Sequence, residues 1–236
     1  MKLIMIMPAY NEGNAIKGVL SEWINVYDDM FKDDYRIIVI NDGSKDNTAD
    51  IIESIGNKHI ELITQQNAGH GHALYNGYIH ALKENPEWVF QTDSDGQTDP
   101  NEFRLLWEHR NDYNVIMGYR KHRQDGFFRW FSTRVLRMIF SILFHKYVVD
   151  SNTPFRLMRT DTLRTALDCI GGAHDFTNIL LTGVFTYTGV PIKFIETSFK
   201  PRETGVNSVN MKNMSAKGMD AIKEMLALRK KLRNTK

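Results

Sequence analysis

Val89-Phe-Gln-Thr-Asp93-Ser-Asp95-Gly-Gln97-Thr-Asp99-Pro100 joins a short apolar run to Asp93, Asp95, Gln97 and Asp99, four oxygen-bearing side chains at alternate positions. A buried strand ending near Thr92 would deliver them together at its carboxyl end. Hard divalent cations take oxygen ligands, and Mg2+ in particular is held by one or two carboxylates plus substrate phosphates rather than by a full protein cage. An EF-hand loop needs glycine at its sixth position and glutamate at its twelfth. Counted from Asp93, the glycine is fourth and the twelfth residue is Arg104, so that reading fails. The plainer alternative is an acidic, solvated turn. Asp99 stands directly before Pro100 and is assigned to the turn that opens the next helix, which leaves Asp93, Asp95 and Gln97 as an incomplete metal site.

Three similar units precede this stretch. Leu3 to Met7 is apolar and stops at Pro8, and Gly13 to Tyr27 then carries Ile16, Val19, Leu20, Trp23 and Ile24 at helical spacing. Arg36 to Ile40 is apolar and β-branched, Asn41-Asp42-Gly43-Ser44 is turn chemistry, and Asp46 to Ile55 opens with polar capping residues before a helix. Ile60 to Thr64 leads through Asn67-Ala68-Gly69-His70-Gly71 into a helix over Ala73 to Lys83, and Trp88 to Thr92 is the fourth strand. This alternation predicts an α/β fold with a mostly parallel sheet, whose ligands gather beyond the carboxyl ends of the strands. Pro8 to Glu12, Asn41 to Ser44, Asn67 to Gly71 and Asp93 to Gln97 all fall at that rim. Gly69-His70-Gly71-His72 lacks the third glycine of a dinucleotide fingerprint and the Gly-Lys-Ser/Thr ending of a phosphate loop. His70 and His72 are given loop or helix-capping roles, with a substrate contact as the alternative.

A chain of 236 residues with 42% hydrophobic content can build one sizeable core, so a single domain over residues 1–236 is expected. A net charge of +2 argues against a surface coated for nucleic acid. The single Cys169 excludes an internal disulfide and a cysteine-rich zinc site, in keeping with a reducing cytoplasm. The apolar run Leu3 to Met7 is too short for a signal-peptide core, and no uninterrupted apolar stretch reaches the roughly 18 residues of a membrane span. The expectation is a soluble or peripheral protein.

Past Pro100, a helix over Asn101 to His109 and a strand over Val115 to Gly118 continue the sheet. Phe127 to Val149 is then dense in aromatic and aliphatic residues, with Arg129, Thr133, Arg137, Ser141 and His145 four apart. Such an amphipathic insertion either joins a core or lies on a membrane surface. Asp150 to Pro154 is loop-like, Thr160 to Cys169 helical, and Val184 to Pro201 reads as two short strands around Gly189-Val190-Pro191. Gly205 to Asn213 reads as a mobile polar loop. Ala216 to Leu232 closes the chain as a helix whose basic end, Arg229-Lys230-Lys231, complements the macrodipole or anionic lipid.

Pro8-Ala9-Tyr10-Asn11-Glu12, Asn41 to Thr48, Asn67-Ala68-Gly69 and Asp93-Ser94-Asp95-Gly96-Gln97, in that order and spacing, resemble the family 2 glycosyltransferases of GT-A fold. The chain is most similar to the polyprenyl-phosphate sugar synthases among them, because the match continues through Gly118-Tyr119-Arg120, Trp130 to Arg134 and Asp150 to Arg156. The resemblance covers the chain to about Ser208 and implies a Rossmann-like sheet flanked by helices. Residues 1–100 would bind a UDP- or GDP-linked sugar, 101–208 would serve the acceptor, and 209–236 would form a tail and helix. It implies that Pro8, Ala9, Tyr10, Glu12, Asp42 and Gly69 line the nucleotide pocket, with Asp42 on the base. Asp93 and Asp95 would be the Asp-x-Asp pair, binding Mg2+ or Mn2+ together with Gln97. Arg120 and Arg134 would face the acceptor phosphate and Arg202 the diphosphate, where a planar guanidinium fork suits phosphate oxygens.

The family's closing Arg-x-x-Gly-x-Ser-Lys is here Arg202-Glu203-Thr204-Gly205-Val206-Asn207-Ser208, with Val209 in place of the lysine, and the acceptor-side Ser-Gly-Phe-Arg is Thr153-Pro154-Phe155-Arg156. A polyprenyl phosphate acceptor would be largely anionic at neutral pH, its second pKa being about 6, so no protein base is required. A saccharide hydroxyl would need one. Asp175, in Gly171-Gly172-Ala173-His174-Asp175-Phe176, is the candidate, its alternative role being to cap the helix that starts near Thr177. The basic, aromatic Phe127 to Val149 segment favours the lipid and a site on the cytoplasmic membrane face. Self-association is a further expectation.

Overall fold

The computed structural model describes the backbone of residues 1–120, 127–200 and 214–234, and their side chains except at 127–133 and 214–216. A seven-stranded sheet runs through it: β1 (Leu3–Ala9), β2 (Tyr35–Asn41), β3 (Ile60–Thr64), β4 (Trp88–Gln91), β5 (Val115–Tyr119), β6 (Arg156–Arg159) and β7 (Ile192–Glu196), in the order β3-β2-β1-β4-β6-β5-β7. Six strands run parallel. The exception, β6, is antiparallel to both β4 and β5, pairing Gln91 with Arg156 and Met117 with Arg156 from either side.

Period-two alternation sorts the strand residues between two cores. Leu3, Met5, Met7, Ile37, Val39, Trp88 and Phe90 face one layer, in which Trp23, Tyr27 and Phe31 of α1 (Ile16–Phe31) meet Phe103 and Trp107 of α4 (Phe103–Glu108) edge to face. Ile4, Ile6, Ile38, Ile40 and Val89 face the other, covered by α3 (His70–Lys83), α5 (Phe127–Phe144), α6 (Thr160–Ile170), α7 (Thr177–Tyr187) and α8 (Met214–Asn234). The short α2 (Thr48–Ser54) lies beside α1, and a 3-10 turn over Pro100–Glu102 leads into α4.

The three early βα units and the fourth strand form where the sequence places them. Asp99 accepts from Asn101 N at 2.9 Å and so caps the turn begun by Pro100, as assigned. Two expectations are corrected. Val184 to Tyr187, read as a strand, is the last turn of α7, a helix buried on every face from Thr177 to Thr186 and therefore without a visible helical stripe. The strand β6 was not foreseen, because Arg156-Leu-Met-Arg159 is short and bounded by charge. The amphipathic insertion takes its core role along Phe140 and Phe144, which are buried against the sheet's helical layer, while Met138 and Ile142 stay exposed. Arg202 and the loop read over Gly205 to Asn213 lie outside the described residues.

Candidate active site

The carboxyl ends of β1, β2 and β3 form one half of the rim, and their loops are bolted to one another. Pro8 and Ala9 close β1 and are buried, Tyr10 is 41% exposed and open to a ligand, and Glu12 is buried again. Asn11, at φ 55°, exchanges two hydrogen bonds with the second loop: its N–H donates to Ser44 Oγ and its Oδ1 accepts from Lys45 N. Glu12 N donates to Thr48 Oγ1 and Gly13 N to Asp46 Oδ2. Asp42 is 3% exposed, and its carboxylate accepts from Gln65 Nε2 at 2.7 Å, Ala68 N at 2.9 Å and Gly69 N at 2.8 Å. Three of roughly four acceptor positions are thereby used to hold the Asn67-Ala68-Gly69 turn. Gly43 beside it has φ +69°, and a Cβ there would stand 2.7 Å from Asn67 N, so only glycine lets the second and third loops touch.

Asp93 and Asp95 follow β4. Oδ1 of Asp93 is buried and has no hydrogen-bond partner among the described residues, and His70 Nε2 lies 3.7 Å from it. Burial pushes the Asp93 carboxyl above the usual carboxylate range; His70 opposes this, Asp95 adds to it, and Arg120 and then Arg156 pull it back. A buried, unpaired carboxylate oxygen beside a second carboxylate is what a divalent cation would neutralise, so the residues fit such an ion. Asp95 Oδ1 accepts from Gln97 N at 3.1 Å. The Gln97 carboxamide donates through Nε2 to Lys200 O at 3.1 Å, a bond that does not use its Oε1.

Arg120 follows β5 at the same rim, with its guanidinium 3.5 Å from the Phe199 ring centroid. Arg134 lies on α5 and is exposed. Asp175 is brought to the site by main-chain contact between its loop and the first turn of α3. Thr177 Oγ1 donates to Gly71 O and His174 O, and a Cβ on Gly71 would collide with the carbonyl oxygens of His174 and Asp175. Oδ1 of Asp175 then lies 3.3 Å from His72 Nδ1, at an angle that makes no hydrogen bond. Asp175 caps nothing: the N-cap of α7 is Phe176, with no side-chain capping bond. The pair His70 and His72 thus stands between Asp93 and Asp175, on α3 itself rather than in the loop before it.

Arg156, from the acceptor-side pattern, contacts no open surface. It is fully buried and donates to Thr153 O at 2.9 and 2.6 Å and to Asn178 O at 3.1 Å, bracing the loop that precedes β6. Sequence reasoning missed this and also missed a cluster at the opposite end of the sheet, Glu61, His80 and Glu84, whose ligand atoms lie within 4.8 Å of one another. Arg36 Nη1 already sits 2.7 Å from Glu84 and 3.3 Å from Glu61, so that cluster is a salt-bridge network around a guanidinium.

The family model described as Glycosyl transferase family 2 matches residues 4–172, well over half of the chain. The undecaprenyl-phosphate 4-deoxy-4-formamido-L-arabinose transferases of Edwardsiella ictaluri and Serratia proteamaculans are 27% and 28% identical over 170 and 173 residues, covering 70% and 71% of this chain but 51% and 52% of those proteins. The chain therefore spans about half the length of these curated relatives. Among solved structures, glucosyl-3-phosphoglycerate synthase from Mycobacterium tuberculosis, crystallised with Mn2+, UDP-glucose and phosphoglyceric acid, superposes with a TM-score of 0.73 at 16% identity, over 97% of this chain and 79% of that one. The likeness is one of fold, and the fold is the GT-A sheet that the sequence led us to expect.

Proposed function

The chain belongs to glycosyl transferase family 2, and from that premise we propose that it transfers a sugar from a nucleotide-sugar to a polyprenyl phosphate, inverting the anomeric centre, with Mg2+ or Mn2+ at Asp93, Asp95 and Gln97. The observation that carries the reading is the buried, unpaired Oδ1 of Asp93 beside a second carboxylate at the rim. The lipid phosphate acceptor is supported by the names of the curated relatives, and a metal and UDP-linked donor by what the structural neighbour was crystallised with.

Pro8, Ala9, Tyr10, Glu12, Asp42 and Gly69 form the nucleoside pocket in this scheme, held open by their own loop-to-loop hydrogen bonds. The ion, when bound, supplies Lewis-acid stabilisation of the diphosphate leaving group. Arg120 and Arg134 orient the acceptor phosphate, and Arg202 serves the diphosphate. An acceptor phosphate oxygen forms a bond to the anomeric carbon as the bond to the nucleoside diphosphate breaks, the electron pair leaving with the diphosphate. The nucleophile is already anionic, so positioning and electrostatics do the catalysis. Met138 and Ile142, one turn apart and exposed on α5 near Arg134 and Arg137, give the enzyme an apolar and basic face for the cytoplasmic side of a membrane. No helix among the described residues is long and apolar enough to cross one.

A saccharide hydroxyl is the second reading, favoured by the placement of Asp175 at the rim beside His72, where it could take the hydroxyl proton. The deciding experiment offers liposome-bound polyprenyl phosphate and soluble saccharides in parallel, with a panel of UDP- and GDP-sugars and either Mn2+ or Mg2+. Turnover confined to saccharide acceptors would replace the first reading by the second.

A further inference from the structure

Gln97 is joined to Lys200 by both its main chain and its side chain. Its carbonyl accepts from Lys200 N at 2.8 Å, and its Nε2 donates to Lys200 O at 3.1 Å, flanking an antiparallel bridge between Thr98 and Phe199. The segment from Thr197 to Lys200 is held on its other side as well. Thr197 N donates to Tyr119 O at 3.0 Å, Ser198 N donates to both carboxylate oxygens of Glu102, and the Phe199 ring lies under Arg120. One four-residue strap thus touches the loop of Asp93 and Asp95 and the arginine that follows β5.

We propose that Gln97 is a positioning residue that couples occupancy of the donor and metal site to this strap, and through Phe199 to Arg120. The inference rests on the metal-site reading above. A carboxamide can accept at oxygen and donate at nitrogen at the same time, which neither aspartate nor glutamate does when ionised. Coordination of Oε1 to a cation draws electron density from the amide nitrogen, makes Nε2–H a stronger donor, and tightens its bond to Lys200 O, as polarised hydrogen-bond chains do. A third carboxylate at position 97 would instead crowd Asp93 and Asp95 and face the Lys200 carbonyl with an acceptor.

The test is amide hydrogen exchange on the full chain with and without Mn2+ and UDP, read at Thr197, Ser198 and Lys200, alongside Mn2+ affinity by electron paramagnetic resonance in the presence of UDP. In the wild type, Mn2+ with UDP slows these amides about tenfold, the scale of one strengthened hydrogen bond. Gln97→Glu keeps a ligand oxygen and loses the donor, so it binds Mn2+ at least as tightly but leaves the amides unslowed. Gln97→Met loses both the affinity and the slowing. A wild type that binds Mn2+ without slowing, or a Gln97→Glu protein that slows as the wild type does, overturns the coupling and leaves the metal site standing. A wild type that binds no Mn2+ in the presence of UDP overturns the metal site, and the coupling with it.

Discussion

At the β1–β3 end of the rim, polar side chains are spent on neighbouring loops: Asp42 on the Ala68-Gly69 turn, Asn11 on Ser44 and Lys45, Thr48 on Glu12. Beyond β4, by contrast, the Oδ1 of Asp93 is buried with no donor to meet it among the described residues. The first region is braced without a ligand, and loops rigid beforehand have less freedom to lose on binding one. In the second, one carboxylate oxygen is shut off from water without a hydrogen bond among the described residues, a cost that a cation there would relieve. On the proposed function, a nucleotide would find its base pocket already shaped, while its diphosphate and ion would complete the loop of Asp93 and Asp95.

Four substitutions bear on this contrast. The largest effect is expected from Asp95→Ala, which should lower metal-dependent donor hydrolysis and transfer on the order of 10³-fold while leaving the urea midpoint nearly unchanged; equal metal-independent turnover in both proteins would erase the distinction between the two regions. Asp42→Ala strips the donors of Ala68 and Gly69 of their acceptor, and should cost about 3 kcal/mol in urea unfolding together with a raised donor KM. A loss confined to KM would show that Asp42 serves the base more than the loop. Gly71→Ala pushes a methyl into the carbonyls of His174 and Asp175 and should cost about 2 kcal/mol, with faster exchange in the 171–176 loop.

The smallest effect concerns Asp46. Burial, the largest single influence, raises its carboxyl, but hydrogen bonds from the Thr48 hydroxyl, Gly13 N and Thr48 N together outweigh it and hold it below the ordinary 3.8. A depressed carboxyl stabilises the fold above its unfolded pKa and stops doing so as the pH falls through the folded value. Asp46→Ala should therefore cost about 1 kcal/mol at neutral pH, and the gap from the wild type should be constant down to the ordinary value and close below it. Unfolding curves between pH 2 and 7, taken at about one-unit steps, would show a persistent gap at the acid end if the hydrogen bonds were not charge-dependent.

The first region was legible because everything in it is local. Alternating apolar residues in β1 and β2, and turn residues such as Asn41 to Ser44, announce strand ends without knowledge of the rest of the chain. The loop carrying Asp93, Asp95 and Gln97 was legible as a strand-end loop for the same reason. What the sequence hid depends on distant partners: β6 is a strand only because β4 and β5 stand on either side of it, and α7 lost its helical stripe by being buried all round. Asp175 is an intermediate case: its glycine-bearing loop marked it as a candidate base, but not the contact that holds it. Its place at the rim comes from the packing of the His174-Asp175 carbonyls on Gly71, a contact that no local pattern reports.

The reversed strand also sets an order of events for the growing polypeptide. Once β1 to β4 have emerged, they can pair among themselves, but the outer edge of β4 has no neighbour until Arg156–Arg159 has been made. Closure across so long a loop is slow compared with the local βα pairings that precede it. During synthesis the loop of Asp93 and Asp95 would thus hang from an unzipped edge, open to wrong partners as well as the right one. Substitutions in β6 should consequently show themselves first as lost yield and aggregation, ahead of any fault in a molecule that has finished folding.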